Sequence, residues 1–288
     1  MALSIVKTDC ALGAEIRGVD LTRPLDKGVF AQIRQALLDH EVIFFRGQKI
    51  SDEDQIRFSR YFGNLRTLKR VTALHPTLPE IFLVSNILEN GKPIGLPDAG
   101  LFWHTDGAYL ESPPFASVLR AIEVPHKEGK PQGDTVFASM TAAYDALPDK
   151  MKQRLDGLQA VQSIVMRYEK TEQAGIRKDA LESVITSAPE AIHPVVRPHP
   201  LTGRKCLFVS EGYTQKILGI PGHESEALLS ELSAYCVEPR FQYRHNYQVD
   251  DLLMWDDSST QHKATFDYAL PQRRLMHRTT IGEPSETA

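Results

Sequence analysis

Trp103-His104-Thr105-Asp106-Gly107 sets an imidazole and a carboxylate two residues apart beside an indole ring. Far downstream, Trp255-Asp256-Asp257-Ser258-Ser259-Thr260-Gln261-His262 leaves a strand-like run and turns, which puts a second imidazole, His262, on a separate element. Two imidazoles and one carboxylate on one face of an iron ion leave positions open for a co-substrate and O₂, the facial arrangement of non-haem Fe(II) oxygenases. A structural zinc site would need four protein ligands, commonly with thiolates among them, and no cysteine lies near either segment. A His-x-Asp/Glu pair carries little information by itself. A chain with 10 histidines holds roughly one such pair by composition alone. His126-x-Glu128 is another, but it follows Pro125 among Lys, Gly and Gln and reads as a solvated turn. His104 instead follows the Gly/Pro-rich loop 86–101, a better setting for a buried site.

A second constellation lies near the C-terminus, in Arg273-Arg274-Leu275-Met276-His277-Arg278-Thr279-Thr280-Ile281. Strand alternation puts Arg274, Met276 and Arg278 on one face and Leu275, His277, Thr279 and Ile281 on the other. In a buried sheet this turns two guanidinium groups inward, where an unpaired charge is costly. A carboxylate or similar anion held by an arginine fork would answer that cost. On an edge strand the same arginines would simply be solvated, and the strand alone leaves both readings open.

These groups need elements to hold them. Val29 to Leu38 shows one apolar helical face, and Ser51-Asp52-Glu53-Asp54 opens a second helix as a capping box, with Gly63 expected to close it. Strands are expected at 42–45, 81–84, 115–124, 135–138, 158–166, 207–210, 241–247, 251–255 and 273–281. Further helices are expected over 141–155, interrupted near Pro148, and over 224–236; residues 169–190 read as a polar helix or flap. No repeat or linker divides residues 1–288, so one mainly β domain with flanking helices, a sandwich or jelly roll, is expected. The chain is 42% hydrophobic and 24% charged with a formal net charge of −4, which argues against a nucleic-acid or membrane-surface partner. No apolar run approaches a membrane span, no signal-peptide pattern opens the chain, and three scattered cysteines make no disulfide framework. These features predict a cytoplasmic protein.

The pieces together resemble the taurine dioxygenase/TfdA family of Fe(II)- and 2-oxoglutarate-dependent dioxygenases. The resemblance runs through "VIFFRGQKIS" at 42–51, "WHTD" at 103–106 and "GDTVFASMTAAYDALP" at 133–148. It continues through "HPVVRPHPLTGRKCLFVSEGYT" at 193–214, "WDDSSTQH" at 255–262 and "DYALPQRRLMHRTTIG" at 267–282. It implies a double-stranded β-helix, the jelly-roll barrel, with His104, Asp106 and His262 as iron ligands. It puts Arg278 where the family binds the distal carboxylate of 2-oxoglutarate, with the Thr135 hydroxyl assisting. The implied cofactors are Fe(II), 2-oxoglutarate as co-substrate, and O₂. The implied reaction couples oxidative decarboxylation to succinate and CO₂ with hydroxylation of a small organic anion. A homodimer or homotetramer is implied by analogy alone.

Departures from the family bear on the substrate. The family often has Trp-Asp-Asn-Arg where this chain has Trp255-Asp256-Asp257-Ser258, which alters charge near the second histidine. Arg274 matches the arginine that grips the sulfonate in taurine dioxygenase. That enzyme's substrate histidine has no counterpart here before His75, and its asparagine is Gly100. Arg167 and Tyr168, following the strand expected at 158–166, are expected on the pocket wall as further substrate residues, and Tyr109 and Tyr213 are candidate lining. His193, His199 and His277 read as outside the site. A small sulfonate, alkyl sulfate or carboxylate is the expected substrate. A phenoxyalkanoate-cleaving or isonitrile-forming enzyme is the alternative within the family, and a non-catalytic jelly-roll anion binder the alternative outside it.

Overall fold

A computed structural model describes residues 3–67, 73–173 and 190–285. Its larger sheet runs in the order Ser4–Lys7, Ala14–Arg17, Val42–Phe45, Leu252–Asp256, Ala116–Glu123, Leu275–Pro284 and Gly63–Arg66, with Phe82–Ser85 also paired to Leu275–Pro284. Every pairing in it is antiparallel except Ala14–Arg17 with Val42–Phe45. A smaller sheet, Gln242–His245, Thr135–Ser139 and Thr260–Ala264, faces it. An antiparallel bridge between His104 and His262 adds the WHTD segment to that smaller sheet. Leu253, Trp255, Met276 and Ala121 from the larger sheet meet Phe137 and Tyr243 from the smaller one in a shared buried cluster. This is the expected jelly roll, with apolar side chains of both inner faces interlocked.

Helices close the outer face of the larger sheet. Lys27–His40 starts where Asp26 accepts the Val29 N–H at 2.9 Å and ends where Glu41 takes a left-handed φ of 62°. Phe30, Ile33, Ala36 and Leu37 are its buried face and join Ile43, Phe45 and Met254. Asp52–Arg60 carries the expected capping box of Ser51 and Asp54. Its buried face docks on the terminal strand Leu275–Pro284: the Gln55 amide donates to the His277 carbonyl at 2.9 Å, and Ser59 and Thr279 share a 2.7 Å hydroxyl contact. The outer-facing residues of that strand thus hold a helix, which leaves the alternate residues to face inward. Among the described residues, no helix is long and apolar enough to cross a membrane.

Four sequence expectations shift, one being the strand expected at 207–210, which lies instead at Lys205–Leu207. Gly63 opens the strand Gly63–Arg66 and does not close the helix, which ends at Arg60. The loop 86–101 contains a short hairpin, Leu88–Glu89 with Lys92–Pro93. The strand expected over 158–166 stops at Ser163, where the helix Ile164–Gln173 begins. Ile164-Val165-Met166 continues the apolar run, so periodicity does not separate it from a strand. The Ser163 hydroxyl accepting the Val165 N–H at 3.3 Å marks the turn into the helix. Residues 174–189, most of the polar stretch expected to form a helix or flap, lie outside the described residues.

Candidate metal centre

His104 and His262 reach one spot because their backbones are hydrogen-bonded to each other. The His104 N–H donates to the His262 carbonyl at 3.1 Å, and the His262 N–H returns the bond at 2.8 Å. The Thr105 hydroxyl fastens the segment further by donating to the Thr260 carbonyl at 2.8 Å. The result brings one donor atom each of His104, Asp106 and His262 within 4.8 Å of one another, and all three residues are buried.

The electrostatics suit a cation. The His104 Nδ1 lies 2.8 Å from the Phe102 carbonyl, so that nitrogen carries the proton and leaves the Nε2 lone pair free. Burial, then the neighbouring His104, pushes the His262 imidazole down to about 3, so it is neutral at ordinary pH. Its buried Nδ1 has no hydrogen-bond partner among the described residues. Burial opposes ionisation of Asp106, but the Arg278 guanidinium outweighs it and holds the carboxyl well below the usual range. Two neutral imidazoles and one carboxylate are a donor set that fits a divalent iron.

Behind Asp106 lies a network that sequence reasoning missed. The Ser117 hydroxyl is 3.1 Å from one Asp106 oxygen and 2.8 Å from an oxygen of Asp257, whose other oxygen accepts the Trp255 indole N–H at 2.8 Å. One hydroxyl has one proton to donate. Burial, then the charge of Asp106, raises the Asp257 carboxyl well above the usual range. The Ser117 hydroxyl thus lies within donating distance of both carboxyl groups and ties Asp106 to Asp257. The substitution of Asp for Asn flagged Asp257, but nothing in the sequence pointed to Ser117.

The three residues open onto a cavity of about 860 Å³, also lined by Arg66, Arg167, Arg274 and Arg278. These arginines stand in different company. Arg278 Nη1 lies 3.0 and 2.9 Å from the two Asp106 oxygens, with its guanidinium over the Phe82 ring. Arg274 is 3% exposed, its Nε has no hydrogen-bond partner, and no carboxylate pairs with it among the described residues. Its guanidinium lies 5.7 Å from the Tyr247 ring centre and 5.8 Å from that of Tyr268. A Cβ at Gly133 would come within 2.9 Å of its Cδ and Nε, so only glycine leaves room for it there. Thr135, two residues on, shares a 2.9 Å hydroxyl contact with Tyr247. The hydroxyl expected to assist Arg278 thus has as its neighbour Tyr247, whose ring also lies beside Arg274.

The other expected substrate residues separate. Arg167 lines the cavity, but its Nη2 donates to the Asp98 carbonyl at 3.1 Å and lies 3.4 Å from the Asp98 carboxylate. Tyr168 does not line the cavity; it is buried among Ala108, Ile164, Phe208 and Tyr213. Both sit on a helix, where successive side chains diverge by about 100°, and not on the strand expected there. Tyr109 and Tyr213 line the cavity with ring centres 5.0 Å apart, and Tyr213 stands edge-on to His104. His193 pairs with the Leu110 carbonyl, His199 with Asp256 and His277 with Asp52, all away from the centre. His75 also turns to Asp52, and His126 lies in a two-residue surface strand.

The chain is similar to known proteins along nearly its whole length. The family model "Taurine catabolism dioxygenase TauD, TfdA family" matches residues 5–280. Pentalenolactone F synthase of Streptomyces arenae is 32% identical over 93% of this chain and 91% of its own. The alkylsulfatase of Acinetobacter baylyi is 32% identical over 97% of this chain and 84% of its own. The crystal structure of AAD-2 in complex with Mn(II) and N-oxalylglycine superposes with a TM-score of 0.82 at 28% identity, covering 100% of both chains.

Proposed function

The chain belongs to the taurine catabolism dioxygenase TauD/TfdA family, and from that premise we propose that it couples oxidative decarboxylation of 2-oxoglutarate to hydroxylation of a small organic anion. One observation carries the reading: His104, Asp106 and His262 converge within 4.8 Å on the wall of a cavity that also holds a buried guanidinium, that of Arg274, with no carboxylate partner among the described residues. Fe(II), with 2-oxoglutarate and O₂, supplies the oxidising chemistry, leaving succinate and CO₂. The match over residues 5–280 supports reading the chain as one catalytic domain.

In this reading His104, Asp106 and His262 hold the iron. Ser117 and Asp257 fix the Asp106 carboxylate, and Arg278 balances its charge. Arg274 takes the distal carboxylate of 2-oxoglutarate, with the Thr135 and Tyr247 hydroxyls beside it. The support is energetic. A buried charge without a partner costs several kcal/mol, and of Arg274 and Arg278 only Arg274 has no carboxylate beside it among the described residues. Phe82, Val84 and Leu119 give the cavity an apolar wall against which a substrate would be oriented.

Anaerobic addition of Fe(II) and then 2-oxoglutarate tests the reading. A visible metal-to-ligand charge-transfer band should develop in the wild type and be absent from His262→Ala. A protein that binds 2-oxoglutarate without a band would be an anion binder and not a dioxygenase.

A further inference from the structure

Asp256 and Asp257 follow one another at the end of the strand Leu252–Asp256, and their side chains leave it on opposite sides. Asp257 turns to Ser117, which also meets Asp106. Asp256 turns the other way, to His199, and both members of that pair are buried, at 1% and 4% exposure. The His199 Nε2 stands 2.6 Å from Asp256 Oδ2. The His199 Nδ1 accepts the backbone N–H groups of Leu201 at 3.1 Å and Thr202 at 3.0 Å. A ring nitrogen that accepts N–H groups carries no proton, so the proton sits on Nε2 and His199 donates to the Asp256 carboxylate. The other Asp256 oxygen accepts the Ser258 N–H at 2.8 Å.

The pair bears on the metal centre through the crossing that Asp256 begins. Residues 256–260 carry the chain from the larger sheet to the smaller one, from Leu252–Asp256 to Thr260–Ala264. The Thr260 hydroxyl closes this crossing by donating to the Asp256 carbonyl at 2.7 Å. The Asp257 N–H donates to the Phe115 carbonyl at 2.9 Å, and the Ser259 carbonyl accepts the Met140 N–H at 2.8 Å. From here the centre is reached by separate routes. His262 lies two residues beyond Thr260 on the same strand. The Thr260 carbonyl holds the Thr105 hydroxyl, between His104 and Asp106. Asp257 holds Ser117, which reaches Asp106. On the far side, His199 stands on a closed loop: its N–H donates to the Arg204 carbonyl at 2.8 Å and its carbonyl accepts the Gly203 N–H at 2.9 Å. His199 does not line the cavity, so the crossing is tied to a fixed point outside it.

We propose that His199 is a positioning residue of the metal centre: by donating to Asp256 it fixes the crossing 256–260, and with it the placement of His262 and the orientation of Asp106. The inference rests on the metal centre of the dioxygenase reading and adds to it a residue that touches neither ligand nor cavity. Side chains hold a metal well when their orientation is fixed in advance by the groups behind them. A hydrogen bond to a carboxylate is directional and stronger than one between neutral groups. Without His199, Asp256 Oδ2 would be left buried and unsatisfied, a cost relieved by moving the carboxylate and the crossing it begins. Asp257 and Thr260 are fastened to that crossing and would move with it. Removing a hydrogen-bond partner of a metal ligand typically costs about ten- to a hundredfold in metal affinity. His199 acts one residue further out, so its loss should cost about three- to thirtyfold.

The test reads Co(II) binding to the full-length protein, which needs neither substrate nor turnover. The d–d absorption of bound Co(II) gives affinity by titration and ligand geometry by band position and intensity. His199→Gln places an amide N–H where Nε2 stands, so it keeps the donor to Asp256 and loses the acceptor for the Leu201 and Thr202 N–H groups. His199→Asn does the reverse. Asp256→Asn keeps the shape of the carboxylate and loses one of its two acceptors. His199→Asn and Asp256→Asn should each raise the Co(II) Kd about three- to thirtyfold and alter the d–d band. Their double variant should lose little more than either alone, because both remove the same bond. His199→Gln should stay near the wild type in Kd and band. Melting of the metal-free variants separates positioning from folding. A histidine that only held its own loop would lower the melting temperature most in His199→Gln and leave Kd and band unchanged in every folded variant. That result overturns the inference, as does a His199→Gln no better than His199→Asn. If His199→Asn does not fold, Asp256→Asn decides by the same Kd and band, and wild-type values there overturn the inference too. Each of these leaves the dioxygenase reading standing. A wild type that binds no Co(II) overturns both.

Discussion

Arg274→Ala separates the proposed assignment of 2-oxoglutarate to Arg274 from the one read off the sequence. Arg274 is 3% exposed and has no carboxylate partner among the described residues, so a bound 2-oxoglutarate carboxylate would meet a charge that water scarcely screens. Truncating one member of a buried, hydrogen-bonded ion pair costs about 2–5 kcal/mol. At 1.4 kcal/mol per tenfold, that is about thirty- to several-thousand-fold in affinity. The low exposure favours the upper part, on the order of a few hundredfold or more. Arg274→Lys should recover only part, since an ammonium cannot present the planar fork. The assay is anaerobic titration of the Fe(II)-loaded variants with 2-oxoglutarate, followed by the charge-transfer band. A second readout needs no ligand. Removing a buried charge that has no partner should not cost stability, so ligand-free Arg274→Leu should melt no lower than the wild type. Arg278→Ala should act mainly on metal affinity, because it strips Asp106 of its counter-charge. The reasoning is refuted if Arg274→Ala binds 2-oxoglutarate normally while Arg278→Ala loses it with iron affinity intact.

His104→Ala, Asp106→Ala and His262→Ala should each lose stoichiometric iron, measured by metal analysis after desalting, whereas His126→Ala should keep it; a loaded, active His262→Ala would remove that residue from the centre. Tyr247→Phe removes the hydroxyl 2.9 Å from Thr135 and should weaken 2-oxoglutarate by about two- to tenfold, one neutral hydrogen bond's worth; no change would mean that Thr135 needs no support. Burial raises the Glu41 carboxyl from its ordinary 4.5 to about 7. Its contribution to stability is therefore complete below 4.5 and lost as pH rises to about 7, since the unfolded chain gives up the proton first. Urea midpoints of the metal-free protein should fall across that window, and Glu41→Gln should flatten the fall; an equal slope in both would assign the pH dependence to other groups.

What the sequence determined by itself is the local chemistry. The Ser51–Asp54 capping box, the apolar face of Lys27–His40 and the inward alternation of Arg274 and Arg278 all depend on spacings of a few residues, and all are present in the structure. The ordered motifs carried the family and, with it, the jelly roll. Tertiary structure decided the partners. Ile164-Val165-Met166 fits a strand or a helix equally, and the helix is what turned Tyr168 into the core and left Arg167 at the cavity. Thr135 reads only as a hydroxyl in a strand until Tyr247 and Gly133 bring it beside Arg274, and Ser117 is an ordinary strand serine until Asp106 and Asp257 meet across it. Arg66 follows the same rule: its place opposite Thr280 is a matter of register between distant strands. Charge, hydrogen-bonding capacity and periodicity belong to each residue and its near neighbours, so they are legible along the chain. Which charge neutralises which is set by distances between segments far apart in the chain, and packing alone fixes those.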